Sequence, residues 1–280
     1  MGDSSITFTP SQKQRLIELG AELSKLEASF TSPREREKVF NSLAEKLTRK
    51  NRETIKKLKD SGKRPPLKTV ESKLVNVLTS LGFVEVVTPT IIPKTFISRM
   101  GIEKESNLWQ QILWLDGRRC LRPMLAPNLY FVMGKLRRFW KPVRIFEVGS
   151  CFRKDTRGSF HTEEFTMLNF VELAPDANPR ERLAELIAKT MGGLGIGSYE
   201  VRSESSEVYG ETLDVLVKDV EIGSAAIGPK PMDVNWGIVD PWVGLGLGIE
   251  RVAMVTGNHH PIARVSRSLI YLNGARLDIK

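Results

Sequence analysis

Cysteine and histidine are scarce in these 280 residues, and the scarcity excludes two kinds of site. Cys120 and Cys151 offer neither metal spacing nor a disulfide framework, so each reads as a buried free thiol. His259 and His260 are adjacent and His161 stands alone, which leaves no zinc-binding set. Long apolar runs are also missing. Nothing approaches the ~20 residues of a spanning helix, and the charged N-terminus has no hydrophobic signal region, so the sequence places the protein in the cytoplasm and off the membrane. Repeats and low-complexity tracts are absent. Gly244, Gly246 and Gly248 alternate, but without the third glycine of a dinucleotide fingerprint in its place and without a βαβ unit, which argues against hydride-transfer chemistry.

Acidic residues are few in one stretch where bases are many. Between positions 46 and 68 lie ten lysines or arginines against Glu53 and Asp60, within a chain of net charge +9. A lysine run on a helix reads either as a solvated face or as a phosphate contact, and the near lack of acidic partners favours phosphate. Lys46, Arg49, Lys50, Arg52, Lys56 and Lys57 are the expected RNA-facing residues.

The order of elements predicts an α+β layer structure, an antiparallel sheet flanked by helices, with a helical N-terminal extension. Thr9-Pro10 opens a helix with Leu16, Leu19, Leu23, Leu26 and Phe30 on one face, and Ser32-Pro33 opens a second with Phe40, Leu43 and Leu47 inward. Residues 60–66, DSGKRPP, end that helix and mark a boundary, giving an extension over 1–62 and a main body over 63–280. Leu67, Val70, Leu74, Val77 and Leu81 predict a further helix, followed by a strand over 83–87. Asp116-Gly117 predicts a hairpin, Pro127 opens a helix, and 179–191 forms another, ended by the glycines at 192, 193, 195 and 197.

The centre of the chain is 146–170, FEVGSCFRKDTRGSFHTEEFTMLNF. Apolar runs at 143–152 and 165–173 flank a polar loop and predict two long antiparallel strands. They aim Arg153, Asp155, His161, Glu163 and Phe165 at one volume. A guanidinium, acidic groups, an imidazole and an aromatic face suit a nucleotide such as ATP.

The Phe-Arg-x-Asp, loop, His-x-Glu-Glu-Phe pattern resembles motif 2 of the class II aminoacyl-tRNA synthetases, and GLGLGIER at 244–251 resembles their motif 3. The helix, strand and proline over 67–89 look like motif 1, which builds the family's dimer interface. LRPMLAPNLY, HTEEFTMLNF and VYGETLDV resemble the pyrrolysyl branch, and the likeness covers roughly 67–280. It implies a homodimer that forms an aminoacyl-adenylate from ATP and passes the acyl group to its cognate tRNA. The compact subclass is expected, without a separate tRNA-binding or anticodon-binding domain.

By resemblance, Arg153 holds the α-phosphate and Arg251 the γ-phosphate, a need for fixed positive charge rather than a base. Phe165 would stack on adenine, with Asp155, His161 and Thr162 beside it; Asp155 stands where the family usually has Glu. Glu221 and Ser224 match the family's Mg2+ ligands. The amino-acid pocket maps to Ala126, Leu129, Tyr130, Met133, Asn169, Val171, Tyr209, Ala226, Trp242 and Gly244. None is acidic, so lysine is expected to be excluded and pyrrolysine, an Nε-acylated lysine, admitted. Asn169 is expected to bond the side-chain amide and Tyr209, on a lid, the ring nitrogen; Val171 and Met133 replace the commoner Cys and Leu. Two alternatives share parts of this pattern: a synthetase for another amino acid such as phenylalanine, and a non-catalytic tRNA-binding paralogue.

Overall fold

A computed structural model describes residues 6–62, 64–154 and 162–279. The N-terminal part comprises β1 (Ile6–Thr7), α1 (Pro10–Leu19), β2 (Ser29–Phe30) and the 29-residue α2 (Pro33–Ser61). Thr9 and Gln12 cap α1 reciprocally, each side chain accepting from the other's backbone N–H. The single long helix expected through Phe30 does not form, because Gly20 adopts φ +92° and closes α1 at Leu19. The chain continues through a 3-10 turn, Leu23–Glu27, which buries Leu26 and leaves Leu23 exposed. Phe8, Leu16, Leu26 and Phe30 form a small core, covered by Phe40, Leu43 and Leu47 of α2.

The body follows as α3 (Pro66–Ser80), β3 (Val84–Glu85), β4 (Ile91–Pro93), α4 (Lys94–Arg99), α5 (Asn107–Gln111), β5 (Arg119–Leu121) and α6 (Ala126–Leu136). Next come β6 (Val143–Phe152), β7 (Glu164–Leu173), α7 (Pro179–Leu194), β8 (Glu200–Ser206), β9 (Gly210–Val217) and β10 (Val220–Gly228). β11 (Trp242–Gly248), α8 (Ile249–Gly257), β12 (Tyr271–Leu272) and β13 (Ala275–Arg276) complete it. The main sheet has seven strands in the order β3-β6-β7-β11-β10-β9-β8. All its neighbours are antiparallel except β3 and β6.

Alternation along the strands gives the sheet two different faces. Leu168, Phe170, Val243, Leu245 and Leu247 point one way and pack on Leu74, Leu78, Leu186, Ile187 and Val252 of α3, α7 and α8. Each such buried side chain contributes about 1.5–3 kcal/mol. The opposite face carries the site.

Four further expectations change. Leu78 rather than Val77 joins Leu67, Val70 and Leu74 as a buried residue of α3, and the strand at 83–87 shrinks to β3, with Val87 92 % exposed. Gly192 and Gly193 lie inside α7, which ends at Gly195 with φ +78°. A Cβ on Gly193 would sit 2.1 Å from Val77 Cγ2, so this glycine serves the close approach of α3 and α7. The hairpin at Asp116-Gly117 reduces to one bridge, Trp114 to Cys120, while β5 pairs with β4. Asp116 Oδ1 accepts from the amides of Arg118 and Arg119, forming a wide bend in place of a two-residue turn.

The C-terminal hairpin fastens the N-terminal helices to the body. Arg276 pairs with Glu18 at 2.7 Å and donates its backbone N–H to Asn51, while Arg264 and Tyr271 donate to the Glu18 carbonyl.

Candidate active site

The register of three central strands assembles the site face. Asn169 and Val171 of β7 lie opposite Gly246 and Gly244 of β11, which in turn face Ser224 and Ala226 of β10. The glycines leave a trough between side-chain-bearing strands. A Cβ on Gly246 would sit 3.0 Å from the Asn169 side chain, and one on Gly244 would sit 3.0 Å from the Phe170 carbonyl oxygen.

At one end the trough widens into a cleft of about 540 Å³, lined by Arg153, Thr162, Phe165, Glu221, Ser224 and Arg251 among others. Arg153 is anchored by donating Nε–H to the Pro123 carbonyl at 2.9 Å, and its guanidinium stands 5.3 Å from the Phe165 ring centroid. Burial, opposed by Cys151 and reinforced by Arg251, lowers its pKa from the ordinary arginine value. Asp155 and His161 lie outside the described residues.

Glu221 and Ser224 face the cleft together because β10 is irregular. Three positions apart in a regular strand, they would point to opposite faces. Here the register slips between Glu221 and Gly223, so that Glu221 pairs with Leu216 and Ser224 with Asp214, two residues apart on β9. This bulge returns both to one face. Gly223 permits it, since a Cβ there would meet the Gly246 carbonyl oxygen at 2.4 Å.

At its other end the trough closes into a chamber of about 60 Å³. All ten residues expected there line it: Ala126, Leu129, Tyr130, Met133, Asn169, Val171, Tyr209, Ala226, Trp242 and Gly244. The four from α6 follow helical spacing and share one face. The Asn169 amide oxygen is buried and has no hydrogen-bond partner among the described residues. Tyr209 lies down over the chamber, its ring 6.1 Å from that of Trp242, and burial first and Asp233 second push its phenol pKa up. The turn carrying Tyr209 is held by Glu207, whose carboxylate accepts from the Asn107 side chain at 3.0 Å and the Leu108 amide at 3.4 Å. Chamber and cleft share Ala126, Asn169, Tyr209, Ser224, Ala226 and Gly246 as a common threshold.

Residues 50–270 match the family described as tRNA synthetases class II core domain (F). Two solved structures of pyrrolysyl-tRNA synthetase from Desulfitobacterium hafniense are similar over nearly their whole length. One is 43% identical with a TM-score of 0.90, covering 99% of this chain and 100% of that one. The other is 42% identical with the same TM-score, covering 100% and 98%. The chain belongs to the pyrrolysyl-tRNA synthetases. Among curated relatives, a phenylalanine–tRNA ligase beta subunit from Borrelia hermsii is 24% identical over 68% of this chain, and an alpha subunit from Methanospirillum hungatei is 32% identical over 41%. The matches span 34% and 25% of those two longer proteins.

Three buried groups escaped the sequence reading. Arg122 and Glu147, with side chains only 4% and 2% exposed, pair at 2.6 Å. Breaking such a pair costs about 3–5 kcal/mol. Thr88 and Ser150 complete the network, which holds the segment whose Pro123 carbonyl anchors Arg153. Glu250 accepts the Thr166 amide with both oxygens at 2.9 Å, fixing the start of α8 and thus Arg251; burial raises its carboxyl pKa. Asp233 stands behind the chamber wall, accepting from Tyr130 and Trp242. The neutral pocket therefore has an acid one layer back. Gly149 makes room for the first of these groups, since a Cβ there would lie 2.0 Å from Arg122 Nη2.

No helix among the described residues is long and apolar enough to cross a membrane.

Proposed function

We propose that this protein ligates pyrrolysine to its cognate suppressor tRNA, using ATP to form an enzyme-bound aminoacyl-adenylate first. The observation that carries this reading is the threshold: a chamber lined by uncharged side chains opens at Asn169 and Gly246 onto a cleft with two arginines. An amino acid seated with its acyl group inside presents its carboxylate to the α-phosphorus of a nucleotide in the cleft. A carboxylate oxygen attacks, the bond to pyrophosphate breaks, and a ribose hydroxyl of the tRNA later attacks the acyl carbon and releases AMP.

Arg153 and Arg251 hold the phosphates and oppose the charge that grows on them, the electrostatic contribution such a transfer needs most. Phe165 offers a stacking surface at the cleft wall. In the chamber, Asn169 meets the side-chain amide and Tyr209 closes over the ring. Glu221 and Ser224 supply a carboxylate and a hydroxyl side by side, which fits Mg2+ completed by substrate phosphates and water. When bound, the ion would neutralise phosphate charge.

The exposed basic residues Lys46, Arg49, Lys50, Arg52, Lys56 and Lys57 of α2 are the proposed tRNA contact, with residues 1–62 as the extension that carries them. A homodimer is proposed through the segment after α3, where Val84, Val87 and Ile91 are exposed.

Charging of the cognate tRNA tests the reading. With ATP and Mg2+, acylated tRNA is expected with pyrrolysine and not with lysine or phenylalanine. Charging with either of those two in place of pyrrolysine would contradict it.

A further inference from the structure

The chamber's shape depends on a residue that does not line it. Asp233 sits in the 3-10 helix Pro231–Trp236 and is 1% exposed. Its Oδ1 accepts the Tyr130 hydroxyl at 2.8 Å, and its Oδ2 accepts both the Trp242 indole N–H and the Lys230 amide at 2.7 Å. These donors come from α6, β11 and the turn before the 3-10 helix, and all three are uncharged. Two of them belong to side chains that line the chamber.

The neighbours are cut to fit this arrangement. Gly228 pairs with Trp242 across β10 and β11, and a Cβ there would lie 1.9 Å from the indole nitrogen. The indole thus crosses Gly228 to reach the acid. Tyr130 meets Trp242 edge-on with centroids 5.7 Å apart, and the Tyr209 ring rests against the same indole. In so small a chamber, a turn of either side chain changes what fits.

We infer that Asp233 is the positioning residue of the amino-acid chamber, holding Tyr130 and Trp242 as walls and thereby setting which acyl group is admitted. This rests on the adenylation reading above. It also accounts for the exclusion of lysine despite a nearby acid: both carboxylate oxygens already have donors, and the bonded side chains stand between them and the chamber. A buried acid with a merely structural role would bond core residues and would not discriminate between substrates.

The test is amino-acid-dependent pyrophosphate exchange on the full chain, with a lysine acylated on Nε by a bulky ring. Asp233→Ala is expected to raise the KM for this amino acid tenfold or more while the KM for ATP stays within twofold. Asp233→Asn is expected to restore it to within threefold of the parent. The amide oxygen still accepts from Trp242 and Lys230, and its NH2 donates to a Tyr130 hydroxyl that turns to accept. An amino-acid KM within twofold for Asp233→Ala, an equal rise in both KM values, or an Asn variant as impaired as the Ala variant would each overturn the inference. If Asp233→Ala does not fold, Tyr130→Phe decides, since it deletes a single bond to the acid. A threefold or larger rise in amino-acid KM at constant ATP KM supports the inference, and no rise overturns it. A parent enzyme without any exchange would instead overturn the adenylation reading, and this inference with it.

Discussion

Nη1 of Arg251 lies 3.2 Å from a carboxylate oxygen of Glu221 and 3.0 Å from that residue's carbonyl oxygen. The arginine proposed for the γ-phosphate and the glutamate proposed for magnesium hold each other across the mouth of the cleft. Their side chains are 25% and 46% exposed, so the pair is worth about 1 kcal/mol or less. ATP and its metal can exchange it at little cost. Arg251→Ala is expected to lower the rate of pyrophosphate exchange by about 100- to 1,000-fold. Affinity for tRNA, measured by filter binding, should stay within twofold.

The bulge that turns Glu221 toward Ser224 needs Gly223. Gly223→Ala places a methyl group against the Gly246 carbonyl, 2.4 Å away, where backbone must move. A loss of about 1–3 kcal/mol in stability is expected by denaturant titration. The Mg2+ concentration giving half-maximal exchange should rise as well, which a purely global loss of stability would not produce.

How much of this was legible in sequence varied with the physics involved. The pair β6 and β7 could be read from two apolar runs flanking a polar loop, and α1 and α2 from their capping residues Thr9 and Ser32. The ten chamber positions named from sequence came from the likeness to the family's pocket rather than from periodicity; Phe170, Ser224, Leu245 and Gly246, which also line the chamber, were not among them. The bulge was not legible, since one extra residue in β10 leaves no mark in composition. Gly193 reads as a helix end in sequence and proves to be a packing contact, because only the fold brings Val77 to it. Asp233 looks like a loop acid until Tyr130, more than a hundred positions earlier, is placed against it.

The Tyr209 turn, proposed to act as a lid, is tethered to the start of α5 by Glu207. Glu207→Ala removes two exposed hydrogen bonds worth about 0.5–1.5 kcal/mol each. The KM for the acylated lysine should rise about 5- to 150-fold, by converting about 1–3 kcal/mol for the two bonds together, with ATP KM unchanged. Stopped-flow dissociation of the amino acid should quicken in proportion.

The basic face of α2 gives a salt-dependence test. Reversing charge at Lys46, Lys50 and Lys57, all exposed on that helix, should weaken tRNA binding and leave pyrophosphate exchange intact. The slope of log affinity against log salt should flatten by about 0.7–0.9 per lost phosphate contact. An unchanged slope would remove the helix from the interface.

The central claim joins two assertions, that the cleft activates an amino acid with ATP and that the chamber takes an uncharged acylated side chain. Amino-acid-dependent exchange of pyrophosphate into ATP tests both in one experiment, with pyrrolysine, an Nε-acylated lysine, lysine and phenylalanine at matched concentrations. Exchange with the first two and none with lysine or phenylalanine is the expected result. Exchange with lysine or phenylalanine alone would contradict the chamber, and silence with all four would contradict adenylation itself.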